Sequence, residues 1–318
     1  MLDALRFVQG AVAKKDFVAA LTHYQIKNGF VKGHNGGLTL CSPIDLDIDV
    51  TPKAVTFAKA IATCKSVIQM HLTPSNRLSI KSGNFRALVD CIEEGFPHTD
   101  PEGDSIDLPN GGILKALKTL APFIAEDASR GWARGILFRG QSAFSTNNVV
   151  LLEYWLGYEF PAEINVPRSA VMEMIRIGVD PIRMMVANNS VTFFYPEGKW
   201  LKTQLYSLEW PDLGKVLGKT NHPLLPPEGL WDALESAEPF VNKLRQVWLK
   251  NGTVSTDSGQ DAGATIDVPG IEGDLGIYNV DYLLELSEVV QAIDLTMYPN
   301  PCIFYGENIR GAIVGMRG

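Results

Sequence analysis

Val166-Pro167-Arg168-Ser169-Ala170-Val171-Met172-Glu173-Met174-Ile175 reads as the opening of a helix, because proline suits a first turn, where its missing N–H is not needed. Two other stretches read the same way. One is Thr51-Pro52-Lys53-Ala54-Val55; the other is Tyr278-Asn279-Val280-Asp281-Tyr282-Leu283-Leu284-Glu285-Leu286, where Asn279 caps an orphan backbone donor. Pro52, Pro167 and Asn279 lie 115 and 112 residues apart. A near-constant period of this kind is the mark of a repeated module and precedes any other question about architecture.

The surroundings repeat too. Each helix is followed by two strand-like runs: 67–72 then 78–81, 182–186 then 191–195, and 292–297 then 302–305. Each is preceded by a longer amphipathic stretch, 2–12, 113–124 and 230–244, followed by strands over 29–40, 134–145 and 246–255. A module of helix, strands, helix, strands thus occupies about one third of the 318 residues. Turn pairs such as Asn28-Gly29, Asn35-Gly36-Gly37, Glu197-Gly198 and Asn251-Gly252 favour short antiparallel strands. Boundaries fall at 104–112 and 220–229, the second containing Pro223, Pro226 and Pro227, so the expected domains are 1–106, 107–222 and 223–318.

Composition narrows the function. Apolar residues at 46% and charged residues at 20% describe a globular chain with large cores. No uninterrupted apolar run is long enough for a membrane span, and Asp3 and Arg6 occupy what would be the apolar part of a signal peptide, so a cytoplasmic protein is expected. Cys41, Cys64, Cys91 and Cys302 are too far apart in sequence for a CxxC zinc or redox pair. A net charge of -8 argues against coating nucleic acid by bulk charge, while leaving room for a locally basic face.

Catalytic patterns are weak. Gly135-Ile136-Leu137-Phe138-Arg139-Gly140-Gln141-Ser142 has the glycine spacing of a phosphate loop, but Gln141 stands where a lysine must meet phosphate; a strand ending in a turn explains it. Asp45, Asp47 and Asp49 alternate with Ile44, Leu46, Ile48 and Val50, the pattern of a strand with one solvated face rather than a cation site. Five histidines are scattered singly, with no HExxH or GxSxG context. No catalytic residue, metal or cofactor is expected.

Three modules of two helices packed on antiparallel sheets, an α+β architecture, resemble the bacterial DNA polymerase III beta subunit, the sliding clamp. The resemblance rests on Ser79-Ile80-Lys81-Ser82-Gly83-Asn84-Phe85-Arg86 with Gly95-Phe96-Pro97 in the first module. In the second it rests on Arg134-Gly135-Ile136-Leu137-Phe138, Ser145-Thr146-Asn147, Val166-Pro167-Arg168 and Trp210-Pro211-Asp212 with Val216-Leu217. In the third it rests on Tyr278-Asn279-Val280-Asp281-Tyr282-Leu283 and Met316-Arg317. Asn148-Val149 stand where the family has Gly-His, Gly315 where it has proline, and Gly318 where it ends in leucine; the first module is also shortened before Pro52. This is the pattern of a compact, divergent clamp, such as a phage or mobile element carries.

The resemblance implies a non-enzymatic processivity factor: a head-to-tail homodimeric ring that encircles duplex DNA without reading its sequence and tethers a DNA polymerase and clamp loader. It implies a peptide-binding pocket of Thr146, Asn148, Val149, Val150 and Leu151, then Pro211, Lys215 and Val216, then Ile313, Val314, Met316 and Arg317. DNA-facing cations are Arg6, Lys14, Lys15, Lys53 and Lys59 in the first module and Lys115, Lys118, Arg130, Arg168 and Arg176 in the second. The third module is poorer, since Lys243 and Arg245 meet Asp232, Glu235, Glu238, Asp281, Glu285 and Glu288. The subunit contact maps to Arg86, Ala87 and Val89 on one side and Pro239, Phe240 and Val241 on the other. Two rivals are a metal- or nucleotide-dependent hydrolase using Asp45, Asp47 and Asp49, and a clamp-fold decoy that inhibits a host replisome.

Overall fold

Helices begin where the sequence predicts. The computed structural model describes every residue except 94, 110, 128, 208, 219–223, 257–262 and 318. Among the described residues the α-helices are α1 (Leu2–Val8), α2 (Ala54–Thr63), α3 (Ile113–Leu120), α4 (Arg168–Ile177), α5 (Gly214–Leu217), α6 (Leu230–Ala237) and α7 (Val280–Ser287). α2 follows Pro52 and α4 follows Pro167. Asn279 caps α7 by accepting from the N–H groups of Asp281 at 2.9 Å and Tyr282 at 3.3 Å. One face of α2 buries Ala54, Phe57, Ala60 and Ile61, and α7 buries Val280, Leu283 and Leu286, the three-and-four spacing of a helix laid on a core.

Some expectations are corrected. The amphipathic stretches 113–124 and 230–244 are shorter as α-helices, because Pro122 and Pro239 end them in single 3₁₀ turns, Ala121–Phe123 and Glu238–Phe240. The run 292–297 is a strand only through Ile293, after which Asp294 caps a 3₁₀ turn. The strand before Asp45 ends at Pro43; Asp45, Asp47 and Asp49 are exposed on a segment that belongs to no strand. The expected linker at 220–229 lies partly, and the chain's last glycine wholly, outside the described residues.

Packing divides the chain into two units, Met1–Leu114 with Ser169–Tyr206, and Lys115–Arg168 with Ser207–Gly318. The first contains a seven-stranded antiparallel sheet in the order Gln25–Lys27, Phe30–His34, Leu38–Pro43, Trp200–Gln204, Ser190–Phe194, Arg183–Val186, Asp104–Asp107. Its middle seam pairs Leu40 with Leu201 and Cys41 with Trp200, joining distant parts of the chain. A separate sheet of Gln69–Leu72, Arg77–Ser82 and Phe85–Asp90 completes this unit.

The second unit repeats the plan. Its seven strands run Ile164–Pro167, Gly135–Arg139, Ser142–Thr146, Val150–Trp155, Ile309–Ile313, Cys302–Gly306, Val290–Ile293. The corresponding seam pairs Val150 with Ile313, Leu151 with Ala312 and Leu152 with Gly311. A four-stranded sheet, Thr265–Asp267, Thr253–Ser255, Gln246–Lys250 and Asp274–Asn279, lies under α6 and α7. The strand face expected from Gly135 to Ser142 is therefore a hairpin arm, with Leu137 opposite Phe144.

Candidate functional site

The site grows from the hairpin between Ser142–Thr146 and Val150–Trp155. Thr146 Oγ1 donates to the Val150 carbonyl at 2.7 Å and accepts from the Asn148 N–H at 3.1 Å. Asn147 Oδ1 accepts from the N–H groups of Val149 at 3.0 Å and Val150 at 2.8 Å. These bonds hold Asn148 in the left-handed region at φ 73, which asparagine tolerates better than most residues. Arg130 Nη1 donates to the Asn148 side-chain oxygen at 2.9 Å.

The C-terminal strand closes one wall. The Val314 N–H donates to the Val149 carbonyl at 2.9 Å, extending the seam past Ile313, and the Met316 N–H donates to Ile277 O at 2.7 Å. Tyr298 fixes this turn from the side, its hydroxyl donating to Met316 O at 3.0 Å. A Cβ on Gly315 would lie 2.6 Å from the Tyr298 ring, and one on Gly276 would lie 2.3 Å from it. The ring thus packs closely against both glycines, and neither position has room for a Cβ.

Phe144 and Leu151 of this hairpin join an apolar cluster. Leu137, Phe144, Trp210 and Leu217 are buried, with Trp132, Leu151 and Leu213 partly buried against them. The rings of Trp132 and Trp210 are tilted at 58° with centroids 5.0 Å apart. α5 packs beside Ile309–Ile313, and its start is fixed by Asp212 Oδ1, which accepts from the Gly214 N–H at 3.0 Å. Among the described residues the buried Trp210 indole N–H has no partner.

The structure sorts the twelve residues expected here. Thr146, Val150 and Ile313 are buried; Val149, Leu151, Val216 and Met316 are half-buried; Asn148, Pro211, Lys215, Val314 and Arg317 are exposed. Sequence reasoning missed Trp132 and Leu213, and took Trp210 only as a motif neighbour of Pro211. The signal for α5 was available as Leu213, Val216 and Leu217 at helical spacing. Nothing local ties Trp132 to Trp210, because the chain between them spans seven strands and α4.

Among the residues expected to face DNA, Lys14, Lys15, Lys53, Lys59 and Lys118 are exposed. Arg6 pairs with Asp3 at 3.3 Å, Lys115 with Glu307 at 3.3 Å and Arg168 with Glu126 at 3.0 Å. Arg176 is committed to structure: it donates to the Phe7 carbonyl at 2.7 Å and pairs with Glu173, tying α4 to α1. In the acidic groove between α6 and α7, of about 450 Å³, Glu235, Glu238, Asp281, Glu285 and Glu288 line the walls, and Arg245 is held by both Asp281 and Glu238.

At the expected subunit contact, strand alternation turns Val89 into the core at 0% exposure while Leu88 stands 58% exposed between Arg86 and Asp90. Leu88, rather than Val89, is the available side chain. Pro239 and Phe240 are exposed and Val241 is half-buried. Among the described residues no cluster of histidine, cysteine and carboxylate side chains is placed to hold a metal ion.

No family model matches the chain, and no curated protein matches it in sequence. Solved structures do. The chain superposes on the C. crescentus beta sliding clamp with TM-score 0.85 at 16% identity, covering 100% of this chain and 97% of that one. It matches the DNA polymerase sliding clamp from Bacillus subtilis with TM-score 0.82 at 15% identity, and the Helicobacter pylori beta clamp bound to DNA ligase peptide with TM-score 0.78 at 18% identity, both with the same coverage. The fold of this chain, from end to end, is that of the beta sliding clamps.

Proposed function

We propose that this chain is a DNA polymerase processivity factor, a cytoplasmic, non-enzymatic sliding clamp that encircles duplex DNA as a homodimer. The observation that carries this is the full-length correspondence with clamp structures, in which 100% of this chain aligns with 97% of theirs, despite 16% identity. A fold retained through so much sequence change, with exposed cations on α1, α2 and α3, fits retention by enclosure rather than by tight phosphate contact. The clamp modules correspond to 1–106, 107–222 and 223–318.

The groove beside the Val150–Ile313 seam is the partner site, taking short peptides from a polymerase, a clamp loader and other replication proteins. Its half-buried valines and leucines supply apolar anchoring, and Met316 an adaptable wall. Support comes from the H. pylori clamp, solved with a DNA ligase peptide. Ring closure uses Arg86, Ala87 and Leu88 against Pro239, Phe240 and Val241. Titration of the protein with a polymerase-derived clamp-binding peptide tests the site: saturable binding lost on deleting residues 314–318 supports it, and undiminished affinity of the truncated protein contradicts it.

A further inference from the structure

We propose that the groove between α1 and α2 receives an unpaired base of a DNA strand, so that the protein pauses at gaps and strand ends instead of sliding evenly past them. This rests on the chain's enclosing DNA. It goes beyond the passage of duplex, whose bases stay paired and stacked and cannot enter a groove at the side.

The groove has a volume of about 360 Å³ and is lined mainly by apolar side chains, at the small end of ligand clefts, which run from about 300 to 1,000 Å³. Leu5 and Val12 come from α1 and the turn after it, Val55 and Ala58 from α2. Val55 is half exposed, so apolar surface is open to solvent here. Arg6, Lys14 and Lys59 are exposed among the same lining residues. Arg6 pairs with Asp3 at 3.3 Å; among the described residues Lys14 and Lys59 enter no ion pair. Residues 1–15 and 50–65 carry six cations against Asp3 alone, in a chain of net charge -8. A base is an apolar-faced ring tethered to phosphates, and this face complements both halves.

The loop after α1 adds an independent observation. The Ala13 N–H donates to the Leu21 carbonyl at 2.8 Å and the Val18 N–H to Asp16 Oδ1 at 2.9 Å, closing a loop on which Phe17 stands fully exposed. An aromatic ring without packing of its own, following Lys14 and Lys15 in the chain, supplies what single-strand binding without sequence preference needs: stacking for bases and charge for phosphates. A lipid surface would use the protruding ring and leave the concave groove idle; an unpaired strand uses both.

The test uses the full-length protein and two fluorescent 12-nucleotide strands of equal charge, oligothymidine and the same backbone without bases. Anisotropy titration at low salt should show oligothymidine binding about five- to tenfold tighter, the lower end of what stacking supplies. Ala58→Phe, which fills the groove, and Val55→Glu, at an exposed position, should each abolish that preference while leaving affinity for polymerase-derived peptide and retention on circular DNA unchanged. Because the two strands carry the same phosphates, the charge added by Val55→Glu cancels from the comparison; it decides the matter if Ala58→Phe folds poorly. Phe17→Ala should reduce the preference in part. Equal binding of both strands by the wild-type protein overturns the proposal, as does a preference that survives Val55→Glu. So does binding to phosphatidylglycerol vesicles, lost in Phe17→Ala, without any preference for bases, which would make this face a membrane contact. Loss of circular DNA by the wild-type protein overturns the enclosure reading itself and is read in a separate assay.

Discussion

Gly315→Ala is the sharpest structural perturbation available near the groove. The added methyl carbon would sit 2.6 Å from two carbons of the Tyr298 ring and 3.1 Å from Ile277 O. The ring is already confined, because it also lies against Gly276, where a Cβ would come within 2.3 Å of it. Either the ring tilts and loses its 3.0 Å bond to Met316 O, or the 2.7 Å bond between Met316 and Ile277 stretches. Overpacking of this kind costs about 1–3 kcal/mol. The lower entropy of the unfolded chain offsets about 0.4–1 kcal/mol of that, leaving a net loss of about 1–2 kcal/mol. Because the strain falls on the segment bearing Val314 and Met316, peptide affinity should drop with it. A double-mutant cycle with Tyr298→Leu, read by urea denaturation and peptide titration, isolates the cause: in that background Gly315→Ala should be nearly neutral. Equal cost in both backgrounds would refute the packing argument.

Other outcomes follow from the same geometry. Deleting residues 314–318 should abolish peptide binding while the protein remains a dimer in light scattering. Phe240→Asp and Leu88→Asp should each yield monomers, since both side chains are more than half exposed in the single chain and a carboxylate buried at a contact without a partner is costly. Glu235→Lys combined with Glu285→Lys should strengthen DNA binding at low salt and steepen its salt dependence; unchanged binding would place α6 and α7 away from DNA. His23 and His34 are held below the ordinary imidazole range chiefly by burial, so the unfolded chain takes up protons first as pH falls. Their contribution to stability should be complete above about pH 6.5 and lost below it, and His23→Gln should flatten that loss in urea titrations.

Much of the fold is written in local signals. Pro52, Pro167 and Asn279 mark helix starts because their chemistry acts within one turn, and Asn28-Gly29 and Asn251-Gly252 turn hairpins because both residues accept positive φ. What escaped is non-local. The two seams, Leu38–Pro43 with Trp200–Gln204 and Val150–Trp155 with Ile309–Ile313, join strands more than 150 residues apart, and no periodicity reveals such partners. The bond from Arg130 to Asn148 spans 18 residues and has no local signal either. Val89 was set at the subunit contact although it lies one residue from the exposed Leu88, and in a strand one residue reverses the face. The hairpin at Thr146–Leu151 was singled out through resemblance, while the Trp132–Trp210 pair packed beside it was not.

Enclosure of DNA is tested most directly by retention on circular against linear duplex. The protein, loaded onto a nicked plasmid circle and moved to a salt concentration that strips phosphate-contacting proteins, should stay bound, then leave when a restriction enzyme opens the circle. Equal loss from circle and linear DNA would contradict a topological link and, with it, the account of this chain as a sliding clamp.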